Sequence, residues 1–97
     1  MFAQAVRFQL KPGMVDEATE IFKSSVLPAV QQQQGFKRVH LLVDEENNRG
    51  IGLSYWETRA DVDAIASSGF YQEQIAKFAA VFAGPPEREV YEIRAEA

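Results

Sequence analysis

The sequence contains no cysteine, so disulfides, thiolate metal sites and thiol nucleophiles are all excluded. Histidine occurs once, at His40, and tryptophan once, at Trp56. A lone histidine with no acid of matching strand parity beside it gives a metal centre no support. The 10 bases are outnumbered by 14 acids and lie scattered from Arg7 to Arg94, with no basic run or stripe. The net charge of -4 argues against nucleic acid or an anionic membrane as partner, since both select for a basic patch. No apolar run reaches membrane-spanning length. The opening residues, MFAQAVRFQLKPG, lack the basic-then-apolar layout of a secretory signal. A cytoplasmic protein is the expectation. Phosphate loops, dinucleotide fingerprints and zinc spacings are missing too, so no cofactor is expected.

What is present reads as one ordinary globular domain spanning residues 1–97. Hydrophobic residues make up 46% and charged residues 25%. A domain of this size buries roughly 60–65% of its unfolded surface, enough for a modest core. Residues 2–10, FAQAVRFQL, alternate with period two, Phe2, Gln4, Val6, Phe8 and Leu10 on one side. That predicts a strand, ended by the KPG at 11–13. From Met14 the spacing changes to three and four through Ala18, Ile21, Phe22, Ser25 and Ala29, which predicts an amphipathic helix. Pro28 should kink it. The polar QQQQ at 31–34 makes its last turn, and Gly35 is a natural C-cap.

A hairpin follows, with arms 36–45 and 51–57 around the NNRG turn at 47–50. Gly50 and Gly52 share one face of the second arm and leave room there for a bulge or a close neighbour. Thr58 with Asp61 has the form of a capping box, and Val62, Ile65 and Ala66 make a short amphipathic turn. The SSG at 67–69 breaks it. Phe70, Ile75, Phe78, Ala79 and Phe82 give a second helical stripe, stopped by the GPP at 84–86, and 88–94 is a last strand. The order strand, helix, strand, strand, helix, strand is the α+β split βαβ, or ferredoxin-like, layout with a four-stranded antiparallel sheet.

Helices cover one face of such a sheet. A half-exposed strand should be apolar on one side only. Here Val39, Leu41 and Val43 oppose Phe36, His40 and Leu42, and Ile51, Leu53 and Tyr55 oppose Ser54 and Trp56. Apolar residues on both sides call for cover on both, and a second copy packed sheet to sheet supplies it, so a homodimer is expected.

In its opening strand and KPG, its Gly35-Phe36 helix exit, its hairpin, its YWET at 55–58 and its SSGFYQEQIAKF at 67–78, the chain resembles the antibiotic-biosynthesis-monooxygenase-like family of dimeric α/β barrels. The resemblance spans about residues 2–94. It implies a homodimer with a cavity in each protomer between sheet and helices. Some members oxidise polycyclic phenols or quinols with O2 and no cofactor, and others degrade haem. The haem-degrading branch shares the tryptophan at the third strand's end, here Trp56. Its first-strand asparagine and its iron-ligating histidine fall close to Val6 and Ile75, which can do neither task.

Trp56, Tyr71, Phe78 and Phe82 are the candidate substrate-binding residues, as apolar walls against a flat ring. Each also reads as plain core, because aromatics on one helical stripe or at a strand end usually pack. His40 is the only side chain that titrates near neutrality unperturbed, and it and Arg7 are the candidate catalytic groups, favouring a bound anion. The competing reading puts His40 on the sheet surface or interface and pairs Arg7 or Arg38 with Glu89 or Glu92. Ser54 lacks a base and an elbow motif, so it is no nucleophile. With no cofactor motif present, the function that the resemblance implies is cofactor-independent monooxygenation of a small flat phenol or quinol. The alternative is a non-catalytic, small-ligand-binding or stress-related dimer.

Overall fold

A computed structural model describes residues 1–97. The first strand, β1 (Phe2–Gln9), is central in a four-stranded antiparallel sheet of order β2-β3-β1-β4, with β2 (Phe36–Asp44), β3 (Arg49–Trp56) and β4 (Glu87–Glu92). Alternation along β1 sends Gln4, Val6 and Phe8 toward the helices and Ala3, Ala5 and Arg7 to the outer face. This is the split βαβ arrangement that the element order implies.

The first long helix departs from a simple kink. It divides into α1 (Val15–Ile21), a π-helical turn over Phe22–Val26, and α2 (Leu27–Val30). Pro28 explains the turn. It has no N–H to give to the carbonyl four residues back, and its ring would press on that carbonyl. One extra residue in the preceding turn relieves both problems. The chain leaves through Gly35, whose φ of 81° belongs to the left-handed region. A Cβ there would also run into the side chain of Asp61.

The hairpin turn lies at residues 45–48, two residues earlier than the glycine signal suggests. Asn48 takes the positive φ, 51°, and Asp44 holds the turn by accepting from Asn47 Nδ2 and Arg49 Nε, both at 2.9 Å. A bulge at Lys37 changes the facing of β2. Phe36 pairs with Trp56 and Arg38 with Tyr55, so Phe36 joins Val39 and Leu41 on the helix side. The simple parity count had set Phe36 with His40 and Leu42. Those two remain outside with Ile51, Leu53 and Tyr55, so this outer face keeps its apolar character. Leu42 and Tyr91 are its most exposed apolar side chains.

Helix α3 (Arg59–Ser67) begins where Thr58 Oγ1 accepts from the Asp61 amide at 3.1 Å, the expected cap. Gly69, at φ 88°, turns the chain into α4 (Phe70–Ala76). This helix ends six residues short of Phe82, and the stripe continues through tight turns. The core has two clusters. One joins Leu10, Ala18, Phe22, Val26, Phe78 and Val81; the other joins Val30, Trp56, Val62 and Ile65. On the outer face Arg7 Nε donates to Glu89 Oε1 at 2.6 Å. The hydrogen bonds from Arg7 and Tyr91 hold the Glu89 carboxyl below its usual range. What this ion pair adds is present at neutral pH and fades as pH falls through the carboxylate range. Its exposure keeps the contribution small.

Candidate functional site

Between the two core clusters the sheet and helices do not close. A cavity of about 100 Å3, open to the centres of water-sized molecules, lies over the middle of β1 and β3. An apolar cavity of roughly 150 Å3 takes a benzene ring, so this smaller space is at most the scale of a single ring. Part of the space lies over Gly52. A Cβ placed at Gly50 would meet the Phe8 ring at 2.6 Å and the Leu42 carbonyl at 2.7 Å, whereas one placed at Gly52 meets nothing within 4 Å. The two glycines share a face, but a phenyl ring covers the first and the cavity lies over the second.

Trp56, Tyr71, Phe78 and Phe82 all line this one cavity. Phe78 and Phe82 stack with ring centres 5.0 Å apart and planes 10° from parallel. Trp56 is 1% exposed, its Nε1 donates to Ser54 Oγ at 2.9 Å, and Phe36 meets it edge-on at 5.8 Å. Its ring is plug and wall together. Phe70, which also lines the cavity, lies one residue before Tyr71 at the start of α4.

His40 and Arg7 are placed elsewhere. Both point to the outer face, with the sheet between them and the cavity. His40 is exposed and meets the Tyr55 ring edge-on at 6.1 Å, and Arg7 is engaged with Glu89. Strand alternation is the cause: their neighbours Val6, Phe8, Val39 and Leu41 are the ones that face inward.

The structure brings other polar groups to the site. Gln4 is 6% exposed and lines the cavity from β1. Its Oε1 accepts from Arg88 Nε at 2.7 Å, and Arg88 Nη2 donates to the Val62 carbonyl at 3.1 Å. Arg88 also lies 5.7 Å from the centre of the Tyr71 ring. Burial pushes the Tyr71 hydroxyl above its usual range, and the Arg88 guanidinium partly offsets this. On the helix side Gln74 is 8% exposed, and its Oε1 accepts from Lys77 Nζ at 2.7 Å. The signal for both glutamines was available as a break in pattern: Gln4 interrupts Phe2, Val6 and Phe8, and Gln74 sits midway between Phe70 and Phe78. No group of three or more His, Asp or Glu side chains is placed to hold a metal ion. No helix is long and apolar enough to cross a membrane.

A split βαβ domain with an apolar, sparsely polar cavity between sheet and helices is an α+β, ferredoxin-like fold. The sequence profile of the antibiotic biosynthesis monooxygenase family matches residues 1–82, and the chain belongs to that family. It is 31% identical over 99 residues to the uncharacterized protein Rv2557 of Mycobacterium tuberculosis, which covers 98% of this chain and 42% of that protein. The chain thus spans less than half the length of this curated relative. Among solved structures it is similar to a Streptomyces coelicolor monooxygenase in complex with nanaomycin D. That match has a TM-score of 0.81 and 15% identity, over 99% of this chain and 89% of the other. It is also similar to SnoaB, a cofactor-independent oxygenase from Streptomyces nogalater. Here the TM-score is 0.78 and the identity 16%, over 98% and 94% of the two chains. At these identities the likeness is one of fold.

Proposed function

We propose that the chain is a cofactor-independent monooxygenase acting on a small, flat, acidic phenol or quinol bound in this cavity. The observation that carries the reading is the cavity itself: aromatic walls from Trp56, Tyr71, Phe78 and Phe82, with an arginine behind its buried polar edge. Family membership supports the reaction type. The chemistry requires little of the protein. An ionised, electron-rich ring can itself reduce O2, so the site need only bind the ring, favour its anion and exclude water. A single-ring phenol oxidised to a quinone loses two hydrogens and gains one oxygen atom, and the second oxygen leaves as water. The substrate supplies all the electrons. The anion-favouring role expected of His40 or Arg7 falls to Arg88, which stands on the cavity's side of the sheet.

Filling the cavity tests this. Gly52→Val should fold with an unchanged or raised Tm, because valine suits a strand and its Cβ has room. Affinity for any ring ligand, measured by quenching of Trp56 fluorescence, should fall more than tenfold. Unchanged affinity in a folded Gly52→Val variant would place the ligand elsewhere.

A second reading, binding without turnover, has two observations in its favour: the cavity of about 100 Å3 is too small for a bicyclic ring, and it holds no base. Tyr71 is the only titratable side chain among the lining residues, and its shift keeps it protonated at neutral pH. No lining group stands ready to take the substrate proton. Ligand binding without any protein-dependent oxygen uptake would select this reading.

We also propose that the functional unit is a homodimer joined through the outer sheet face. Ile51, Leu53 and Tyr55 form a half-buried apolar row there, flanked by exposed Leu42 and Tyr91. Leu53→Glu would bury a charge in that interface, so light scattering at micromolar concentration should show a dimer for the native chain and a monomer for the variant. A native monomer would remove the proposal.

A further inference from the structure

Three donor-only groups fix the orientation of the cavity's polar side chains. Arginine, lysine and the indole N–H can donate but cannot accept. The Gln4 carbonyl must therefore face Arg88, the Gln74 carbonyl must face Lys77, and Ser54 must be the acceptor for Trp56. What each residue has left is a donor: the two amide NH2 groups and the serine O–H. Neither amide nitrogen bonds to any protein group, yet no side-chain nitrogen or oxygen is both sealed off and unpaired. The free amide ends thus open onto accessible space, and both residues are more than nine-tenths buried and line the cavity.

The two cations behind the amides are themselves unneutralised. Arg88 bonds only to Gln4 and the Val62 carbonyl, and Lys77 only to Gln74 and the Ser25 carbonyl, the latter at 3.3 Å. Neither has a carboxylate partner, and no acid lines the cavity. A cation bound to an amide oxygen polarises the amide and strengthens its N–H groups as donors. The same device thus occurs twice, once on the sheet side through β1 and once on the helix side through α4.

We propose that these two cation-backed glutamines make the cavity a reader of acceptor oxygens, so that it binds flat ring compounds as anions carrying acceptor oxygens toward both the sheet wall and the helix wall. This rests on the cavity being the ligand site. It adds the oxygen pattern of the ligand and the groups that read it, naming Gln4 and Gln74 as specificity residues with Arg88 and Lys77 as positioning residues. Hydroxyquinones and nitrophenols have this pattern; a ring with one neutral hydroxyl does not. The apolar walls oppose an anion by desolvation, and the donors must outweigh them.

The test is spectroscopic titration with 4-nitrophenol, whose neutral and ionised forms absorb at different wavelengths and which ionises near neutrality. Toluene serves as the oxygen-free control ring, followed by calorimetry. The expected result is that protein added below the probe's own midpoint increases the phenolate band, with the anion bound at least tenfold tighter than the neutral form. Gln4→Leu should cut that preference by on the order of tenfold, the usual worth of a hydrogen bond to a charged group, while toluene binding persists. Lys77→Met, at an exposed position that does not threaten folding, should cut it too by freeing the Gln74 amide to turn. Binding of nitrophenol in its neutral form, or an anion preference unchanged in folded Gln4→Leu and Lys77→Met variants, overturns this inference and leaves the cavity reading intact. Failure of every ring, toluene included, to bind overturns both.

Discussion

Trp56→Ala is expected to destabilise the protein by about 3–5 kcal/mol, the usual cost of truncating a fully buried aromatic side chain. Trp56 is buried to 1% and packs with Val30, Val62, Ile65 and the Phe36 ring. Its removal would join a new void to an existing cavity, so neighbours have little incentive to collapse around it. Chemical denaturation measures the loss, as a lower midpoint at similar slope. A loss under about 1 kcal/mol would mean that Trp56 lines the cavity without supporting the core, since exposed positions cost that little. Trp56→Phe separates the two roles. It keeps most of the packing and removes the Nε1 bond to Ser54, so stability should fall by only about 1 kcal/mol, near the net worth of one hydrogen bond.

Arg88→Met should have the largest effect on turnover, a fall of about 100-fold if a charged group favouring the substrate anion is lost. The variant also leaves the Gln4 carbonyl without its donor and takes from the Val62 carbonyl a donor additional to the helical one, at a cost of about 1–3 kcal/mol for the buried amide. Arg88→Lys distinguishes the causes. It keeps the charge but not the fork that reaches both carbonyls. Partial recovery of oxygen uptake with lysine would assign the effect to charge. Equal loss in both variants would assign it to the position of Gln4.

The element order was legible because each element carries its own periodicity: the alternation of β1, the spacing of α1 and the Thr58 cap are local facts. The four aromatics that meet at the cavity were legible for the same reason, as apolar residues at strand ends and on one stripe. The bulge at Lys37 was not. One unpaired residue in β2 leaves composition unchanged but alters the facing of everything before it, which is why Phe36 belongs with Trp56 instead of His40. The catalytic groups singled out from sequence, His40 and Arg7, were chosen by residue type, and only strand facing shows that they lie across the sheet from the cavity. The pairing of Gln4 with Arg88 spans 84 positions and exists only because β1 and β4 are neighbours. Local pattern carries no such information. It does carry the oddity of a polar residue inside an apolar stripe, and at Gln4 and Gln74 that oddity marks residues that line the cavity.

The measurement that bears most directly on the account is oxygen uptake by purified, metal-stripped protein with a panel of single-ring phenols and hydroquinones, run beside the Gly52→Val variant. The account predicts saturable uptake above the spontaneous rate for the native chain and its loss when valine occupies the cavity. No uptake above the spontaneous rate across the panel, or uptake that survives in Gly52→Val, would contradict it.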